Sequence, residues 1–211
     1  MLKIVIAIAV VLLIVGGGFF YLMIKGPDMS RYRHLQEPQI TTMEDMTVLE
    51  VPFETSADGL KEVFSFLFKN YYKMKGVPKR PDKVASPVAR YENALDFEMD
   101  EKSRLETFKN MTWKGVAAIP LPPGITELPS VQHDTLTARI TTWSYGEMAE
   151  ILYTGPYELE GPAVKRLMEH IRTSGYEVNG LHEEVYLRGP GTPFVKPENY
   201  CTIIRYPVKK K

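Results

Sequence analysis

The strongest structural signals in the chain are the segments YTGPY (residues 153–157) and HEEVYL (residues 182–187). YTGPY ends a strand-like run that begins at Leu136 and is interrupted around Tyr145–Gly146. Gly155 and Pro156 then turn the chain into a helix, because the apolar residues after them recur at helical spacing on one face. HEEVYL and residues 200–208 (YCTIIRYPV) follow as two further strands. The order is therefore strand, helix, strand, strand.

The same order of elements is predicted earlier in the chain. Residues 46–55 (MTVLEVPFET) have strand composition, and the apolar residues of 60–72 share one helical face. Two strand candidates follow, at 86–92 (SPVARYE) and 107–121. The acidic stretch between them is interpreted as a solvated loop.

These two series of elements predict a duplicated βαββ fold of the α+β class. One unit covers about residues 46–121 and the other about 134–208, within a single domain at 46–208. Two such units can join into one antiparallel sheet. We expect both helices on one face of this sheet and a concave ligand pocket on the other.

Composition limits the partners and cofactors that can be expected. Lysine plus arginine (26) balances aspartate plus glutamate (26), so no basic excess exists to bind phosphates and we predict no nucleic-acid partner. Cys201 is the only cysteine, which excludes an intramolecular disulfide and a cysteine metal cluster. His182 and Glu184 share a strand face, but two groups do not define a metal site. We therefore predict neither a metal nor a cofactor.

The N-terminal residues predict a membrane anchor. Ile4 to Ile24 is an uncharged apolar run of 21 residues, which as a helix would span about 31 Å, close to the thickness of a bilayer core. A cleaved signal peptide is the alternative, but the apolar run continues beyond Gly16–Gly18. We predict a single-pass anchor at 1–25 and a polar tether at 26–45. The charges on either side of the run leave the side of the membrane open.

The second unit resembles the GyrI-like family, the effector-binding domain of bacterial multidrug-responsive transcription activators. The resemblance covers about residues 136–208. The motifs that carry it are Tyr153-Thr154-Gly155-Pro156-Tyr157, Arg166-Leu167, Ser174-Gly175-Tyr176, Glu184-Val185-Tyr186-Leu187 and Tyr206-Pro207-Val208.

The resemblance implies an aromatic pocket that holds one buried glutamate and receives amphipathic or cationic organic molecules. Some members of the family are similar but hydrolyse cyclopropane-containing compounds with that glutamate. The family glutamate falls on Glu184 of this sequence. Regulatory members carry a DNA-binding helix-turn-helix, but here a predicted membrane segment occupies that position, so a transcription-factor role is not implied.

Strand alternation gives Glu184 a face of the sheet. Glu184 and Tyr186 point one way, while Val185 and Leu187 point the other way, which we expect to be the side covered by helices. Glu184 and Tyr186 would then lie on the open face, where aromatic rings and a carboxylate attract a cation. Four further aromatic residues are candidates for ligand binding, with core packing as the alternative for each: Tyr157, Tyr145, Trp143 and Trp113.

Three functions remain open on the sequence alone. The first is a membrane-anchored module that binds a small organic ligand. The second is an enzyme that hydrolyses strained or electrophilic small molecules, with Glu184 as its catalytic carboxylate. The third is a membrane-tethered scaffold that holds a protein partner. Turnover of a cyclopropane substrate would separate the second function from the first.

The anchor leads to a direct prediction. The intact chain should remain in the membrane fraction after carbonate extraction, and its N-terminal sequence should begin at or next to Met1, because the apolar run is long enough to stay in the bilayer. Recovery of a soluble form that begins near residues 20–30 would instead demonstrate a cleaved signal peptide.

Overall fold

The computed structural model of the chain describes residues 28–93, 100–192 and 194–211. The predicted anchor lies outside these ranges. Within them, no helix combines the length and the apolar character needed to cross a membrane.

The described residues form an α+β domain built around one antiparallel sheet. Four 3-10 segments lie at Met29–Gln36, Pro81–Lys83, Tyr157–Leu159 and Pro197–Asn199. The α-helices are α1 (Leu60–Lys73), α2 (Glu101–Asn110) and α3 (Gly161–Thr173). The strands are β1 (Gln39–Met43), β2 (Met46–Thr55), β3 (Val88–Tyr91), β4 (Trp113–Pro120), β5 (Arg139–Trp143), β6 (Gly146–Thr154), β7 (Tyr176–Val178), β8 (His182–Arg188) and β9 (Cys201–Lys210).

The strand order of the sheet reflects two similar halves. Eight strands lie in the order β1-β6-β9-β8-β3-β4-β2-β5, and β7 pairs with β9 outside this path. The order is symmetric about the β8–β3 pair, with β6-β9-β8 on one side and β3-β4-β2 on the other. The sheet is curled into a half-barrel. The α+β class and the antiparallel sheet predicted from the sequence are therefore confirmed.

Each half contributes an edge strand to the other half. β1 directly precedes β2 in the chain but pairs with β6, whereas β5 directly precedes β6 but pairs with β2. The prediction of a tether at 26–45 is therefore wrong for residues 29–43. Those residues form a short polar edge strand and a 3-10 helix, neither of which produces an apolar periodicity in the sequence.

The second difference from the sequence prediction lies between β3 and β4. Residues 101–110 form α2, and the strand predicted from residue 107 begins only at Trp113. Asp100 caps this helix by accepting a hydrogen bond from the Ser103 N–H (3.1 Å). The acidic composition of this stretch pointed to a loop, because α2 has few apolar residues with which to mark a helical face.

Helices α1 and α3 cover the same face of the sheet, which we call the helix face. Val63 and Leu67 of α1 pack on the β2–β4 half, and Leu167 and Ile171 of α3 pack on the β6–β9 half. The opposite face is also covered, because Leu35 of the N-terminal 3-10 helix packs there and is only 2% exposed. The centre of the sheet is therefore buried on both sides.

Glu184 and Tyr186 lie on the helix face, so the prediction that they face away from the helices is wrong. Glu184 pairs with Ala89 of β3, and Tyr186 packs edge-to-face on Phe64 of α1, with ring centroids 5.4 Å apart. Val185 and Leu187 are apolar because the opposite face is buried too. Apolar neighbours therefore did not identify which face carries the helices.

The buried position of Leu35 generates a test of this architecture. Leu35→Ala should lower the free energy of unfolding by about 2–5 kcal/mol, because it leaves a cavity against the opposite face. Denaturant unfolding of the purified chain measures this loss. Leu128→Ala is the control, because Leu128 is 42% exposed and should contribute little. If Leu35→Ala is as stable as the control, residues 29–43 do not pack on the sheet and are a tether after all.

Candidate functional site

Strand β8 places three polar side chains on the helix face. His182, Glu184 and Tyr186 alternate with residues of the opposite face, and His182 and Glu184 are almost completely buried. A second carboxylate, Glu160, approaches them from the start of α3 and is 4% exposed. The turn that brings it there contains Gly155, whose φ of 144° is one that other residues rarely adopt.

The imidazole of His182 directs one nitrogen at both carboxyl groups. Its Nε2 is 3.2 Å from Glu184 Oε1 and 3.5 Å from Glu160 Oε1. Its Nδ1 is 2.7 Å from the hydroxyl of Tyr206 on β9. One nitrogen of the ring therefore contacts a tyrosine, while the other faces two carboxyl groups.

Aromatic rings surround these groups. The hydroxyls of Tyr91 and Tyr186 are hydrogen-bonded at 2.5 Å, and Tyr157 packs edge-to-face on Tyr186 at a centroid distance of 5.5 Å. Trp113 packs on Tyr91 at 5.3 Å. We call the following residues the Glu184 cluster: Tyr91, Tyr157, Glu160, His182, Glu184, Tyr186 and Tyr206.

Burial dominates the electrostatics of the cluster. It raises the pKa of Glu160 well above 4.5, and the nearby charge of Glu184 raises this pKa further, while Arg104 acts in the opposite direction. Burial and the Glu184 charge likewise raise the pKa values of Tyr91 and Tyr186 well above 10. At neutral pH Glu160 therefore holds a proton more readily than an exposed glutamate does, and the tyrosines stay neutral.

Some polar atoms in and beside the Glu184 cluster have no hydrogen-bond partner among the described residues. Among the described residues, the ion pairs of Glu160 and Glu184 involve only His182, and no arginine or lysine. Glu160 Oε2 has no hydrogen-bond partner in the described part of the chain. The same holds for Thr202 Oγ1, which lies on this face because Thr202 pairs with Tyr186. Such groups are costly to bury, and a ligand that binds them would relieve the cost.

The neighbouring residue Glu183 shows the opposite arrangement. It is fully buried on the other face, where Arg90 Nε lies 2.9 Å and Arg205 Nη1 lies 3.5 Å from its two carboxylate oxygens. Arg205 also binds Glu150 at 2.8 Å. Glu183 is therefore neutralised by the protein itself, whereas Glu184 is not.

The predicted aromatic candidates divide between the two faces. Tyr157 and Trp113 lie on the helix face with Tyr186, and Trp113 also donates its ring N–H to the Phe108 carbonyl (3.2 Å). Trp143 and Tyr145 lie on the opposite face, 4.0 and 4.8 Å from the guanidinium of Arg90. These last two candidates stack on an arginine side chain and do not join the Glu184 cluster.

Sequence analysis did not identify Glu160, Tyr206 or Tyr91 as members of the site. Tyr206 could have been found, because Ile204 pairs with Glu184 and Tyr206 lies two residues further along β9, on the same face. Glu160 gives no such signal, because only the turn before α3 brings it to β8. The ligand atoms of Glu160, His182 and Glu184 lie within 4.8 Å of one another. The sequence argument against a metal considered only the last two of these residues.

Comparison with known proteins gives the fold. No family model matches the sequence, and no curated protein matches it either. An uncharacterized conserved protein from Listeria innocua has 18% identity and a TM-score of 0.65, and the match covers 87% of this chain and 99% of that chain. A hydrolase from Listeria innocua has 15% identity and a TM-score of 0.63, with the same coverage.

The C-terminal domain of EcmrR is also similar. It has 11% identity and a TM-score of 0.55, and the match covers 83% of this chain and 98% of that domain. Because these sequence identities are low, the similarity concerns the fold alone. The chain has the GyrI-like α+β fold that its sequence resemblance implied.

The raised pKa of Glu160 generates a prediction for stability. The folded state holds the Glu160 proton more tightly than the unfolded state, so wild-type stability should fall as pH rises from about 4.5 through the higher folded pKa. Glu160→Gln should remove this fall and become the more stable form at pH 8. Each unit of pKa shift corresponds to about 1.4 kcal/mol.

Denaturant unfolding at pH 5 and pH 8 measures the difference. Metal-free buffer is needed, because carboxylates and imidazole are also metal ligands. Glu158→Gln, two positions away on a less buried side chain, is the control and should keep the wild-type slope. A wild-type slope in Glu160→Gln as well would show that Glu160 does not titrate in this range.

Proposed function

We propose that the chain binds small amphipathic organic cations at the Glu184 cluster. The observation that carries this proposal is that Glu184 is buried among aromatic side chains, and no arginine or lysine of the described residues pairs with it. A buried carboxylate without a cationic partner is costly. A cation supplied by a ligand would remove that cost.

The surroundings of Glu184 favour an organic cation over a small hydrated one. The charge of Glu184 acts on Tyr91, Tyr157 and Tyr186, and Phe64 and Trp113 pack on these tyrosine rings, so the carboxylate lies in an aromatic environment. Aromatic faces attract cations, and this attraction grows when the site is desolvated. A ligand with a positive charge on an apolar body therefore satisfies both parts of the site.

Hydrolysis is a second candidate, and the position of Glu160 favours it. Glu160, whose pKa is raised by burial, and Glu184 both face Nε2 of His182, and together they resemble an acid–base pair. Glu184 would take a proton from the attacking water, whose oxygen bonds to the electrophilic carbon. The leaving atom would keep the electrons of the broken bond and take the proton of Glu160. Nε2 of His182 faces both carboxyl groups and could carry the proton from Glu184 back to Glu160.

We further propose that the apolar run at 4–24 anchors the chain in a membrane. Support comes from the length and lack of charge of this run. The described domain begins soon after it, since the 3-10 helix at Met29–Gln36 already packs on the sheet. An anchored domain would then meet its ligand near the bilayer, where amphipathic cations accumulate.

The binding proposal predicts a charge-dependent loss in one variant. Glu184→Gln keeps the shape and removes the negative charge, so it should weaken tetraphenylphosphonium binding by about 1–3 kcal/mol, as expected for a charge-assisted contact. Tetraphenylborate has the same shape and the opposite charge, so the wild type should bind it much more weakly than tetraphenylphosphonium. Calorimetric titration of the purified chain measures both affinities. If the chain is instead a hydrolase, Glu184→Gln should still bind substrate but lose turnover.

The control must leave the fold intact. Glu183→Gln would disturb a buried pair with Arg90 and Arg205, so it is a poor control. Glu158→Gln is preferable, because it removes a negative charge nearby without touching the cluster, and it should keep the wild-type affinity. Equal loss in both variants, or equal affinity for the two probe ions, would contradict a site at Glu184.

A further inference from the structure

We propose that Glu160, His182 and Glu184 form a binding site for a divalent transition-metal ion such as Zn²⁺. One ligand atom from each residue lies within 4.8 Å of the other two, and all three side chains are buried. A histidine with two carboxylates is a donor set that such ions accept. This inference does not depend on an organic ligand, because it concerns only these three side chains.

The spacing of the donor atoms fits a metal ion. Zinc binds imidazole nitrogen and carboxylate oxygen at about 2.0–2.2 Å, so two ligands in a tetrahedral site lie about 3.4 Å apart. His182 Nε2 lies 3.2 Å from Glu184 Oε1 and 3.5 Å from Glu160 Oε1. These two spacings match that value, and the carboxylate oxygens lie within 4.8 Å of each other, so side-chain rotations could bring all three donors around one ion.

Tyr206 provides the support that a metal-binding histidine requires. Ligating histidines generally bond through their second ring nitrogen to another protein group, which fixes the ring and its tautomer. His182 Nδ1 lies 2.7 Å from the Tyr206 hydroxyl. When Nδ1–H donates to this oxygen, the lone pair of Nε2 points to the two carboxylates. Tyr206 is thus a positioning residue for the site.

An independent observation also points to a ligand. The Glu160 side chain is 6% exposed, its carboxyl group is directed at His182, and its Oε2 has no hydrogen-bond partner among the described residues. Metal binding releases the protons of its ligands, and the two carboxylates then balance the charge of a divalent ion. Arg104 is the positive neighbour of Glu160, but it donates its Nε–H to the Glu158 carbonyl (3.1 Å). Three donors leave a fourth position on the ion for water or a substrate.

The metal and an organic cation would compete for the same carboxylates, and His182 distinguishes the two. Metal binding needs the imidazole nitrogen, whereas an organic cation needs only the negative charge and the aromatic rings. His182→Gln should therefore weaken metal binding by a much larger factor than tetraphenylphosphonium binding, although His182 borders both. The two proposals can consequently fail separately.

The experiment titrates the intact, metal-free chain with Co²⁺ and follows its ligand-field absorption, with Zn²⁺ added afterwards to displace it. We expect one saturable site per chain. His182→Gln should weaken binding by at least about 100-fold, and Tyr206→Phe should weaken it about 10–100-fold, as loss of an outer-shell partner does. His170→Gln, on the outer side of α3, is the control for adventitious surface binding and should match the wild type.

Two outcomes would overturn the site. One is the absence of saturable Co²⁺ or Zn²⁺ binding to the wild type. The other is binding that survives in Tyr206→Phe and His182→Gln but falls in His170→Gln. Circular dichroism of each metal-free variant verifies folding. If His182→Gln does not fold, Tyr206→Phe alone decides, because it keeps the ring and removes only the hydroxyl.

Discussion

Strand β8 is buried on both faces, so each of its polar side chains must find a partner inside the protein or accept one from outside. Glu183 and Glu184 are adjacent in the chain and meet this requirement in different ways. Glu183 contacts Arg90 and Arg205 on one face, and its charge is neutralised within the domain. Glu184 on the other face has a histidine, a second carboxylate and tyrosines. The first arrangement pairs the buried carboxylate within the domain, whereas the second pairs it with no arginine or lysine of the described residues, which is why we propose that Glu184 binds a cation.

The position of β8 follows from the way the two halves are joined. β8 pairs with β3 at the centre of the sheet, so side chains from both halves meet there. Tyr91 from the first half bonds to Tyr186 from the second half, and α1 and α3 cover the same face on either side of them. The exchange of β1 and β5 between the halves extends the sheet outward at both edges. A site at the junction is therefore held by elements of both halves.

Much of this arrangement could be predicted from the sequence. The predictions that were wrong have identifiable physical reasons. Period-two alternation correctly placed Glu184 with Tyr186 and apart from Val185. The choice of face was wrong, because apolar neighbours show that a face is buried but not what buries it. Residues 39–43 form an edge strand through backbone hydrogen bonds, which do not require apolar side chains. Their polar composition therefore led to the prediction of a tether. Glu160 reaches the site through a turn, and contacts made by turns have no periodic signature.

We propose that the helix face of β8 accepts a cation beside Glu184. The most direct measurement is anomalous scattering from crystals of the chain grown with tetraphenylarsonium, a lipophilic cation whose arsenic atom can be located without reference to the protein model. We expect an arsenic peak on the helix face, next to Glu184 and bordered by Tyr157 and Tyr186. A peak only on the opposite face beside Trp143, or full-occupancy ordered water at Glu184 in crystals saturated with the cation, would contradict it.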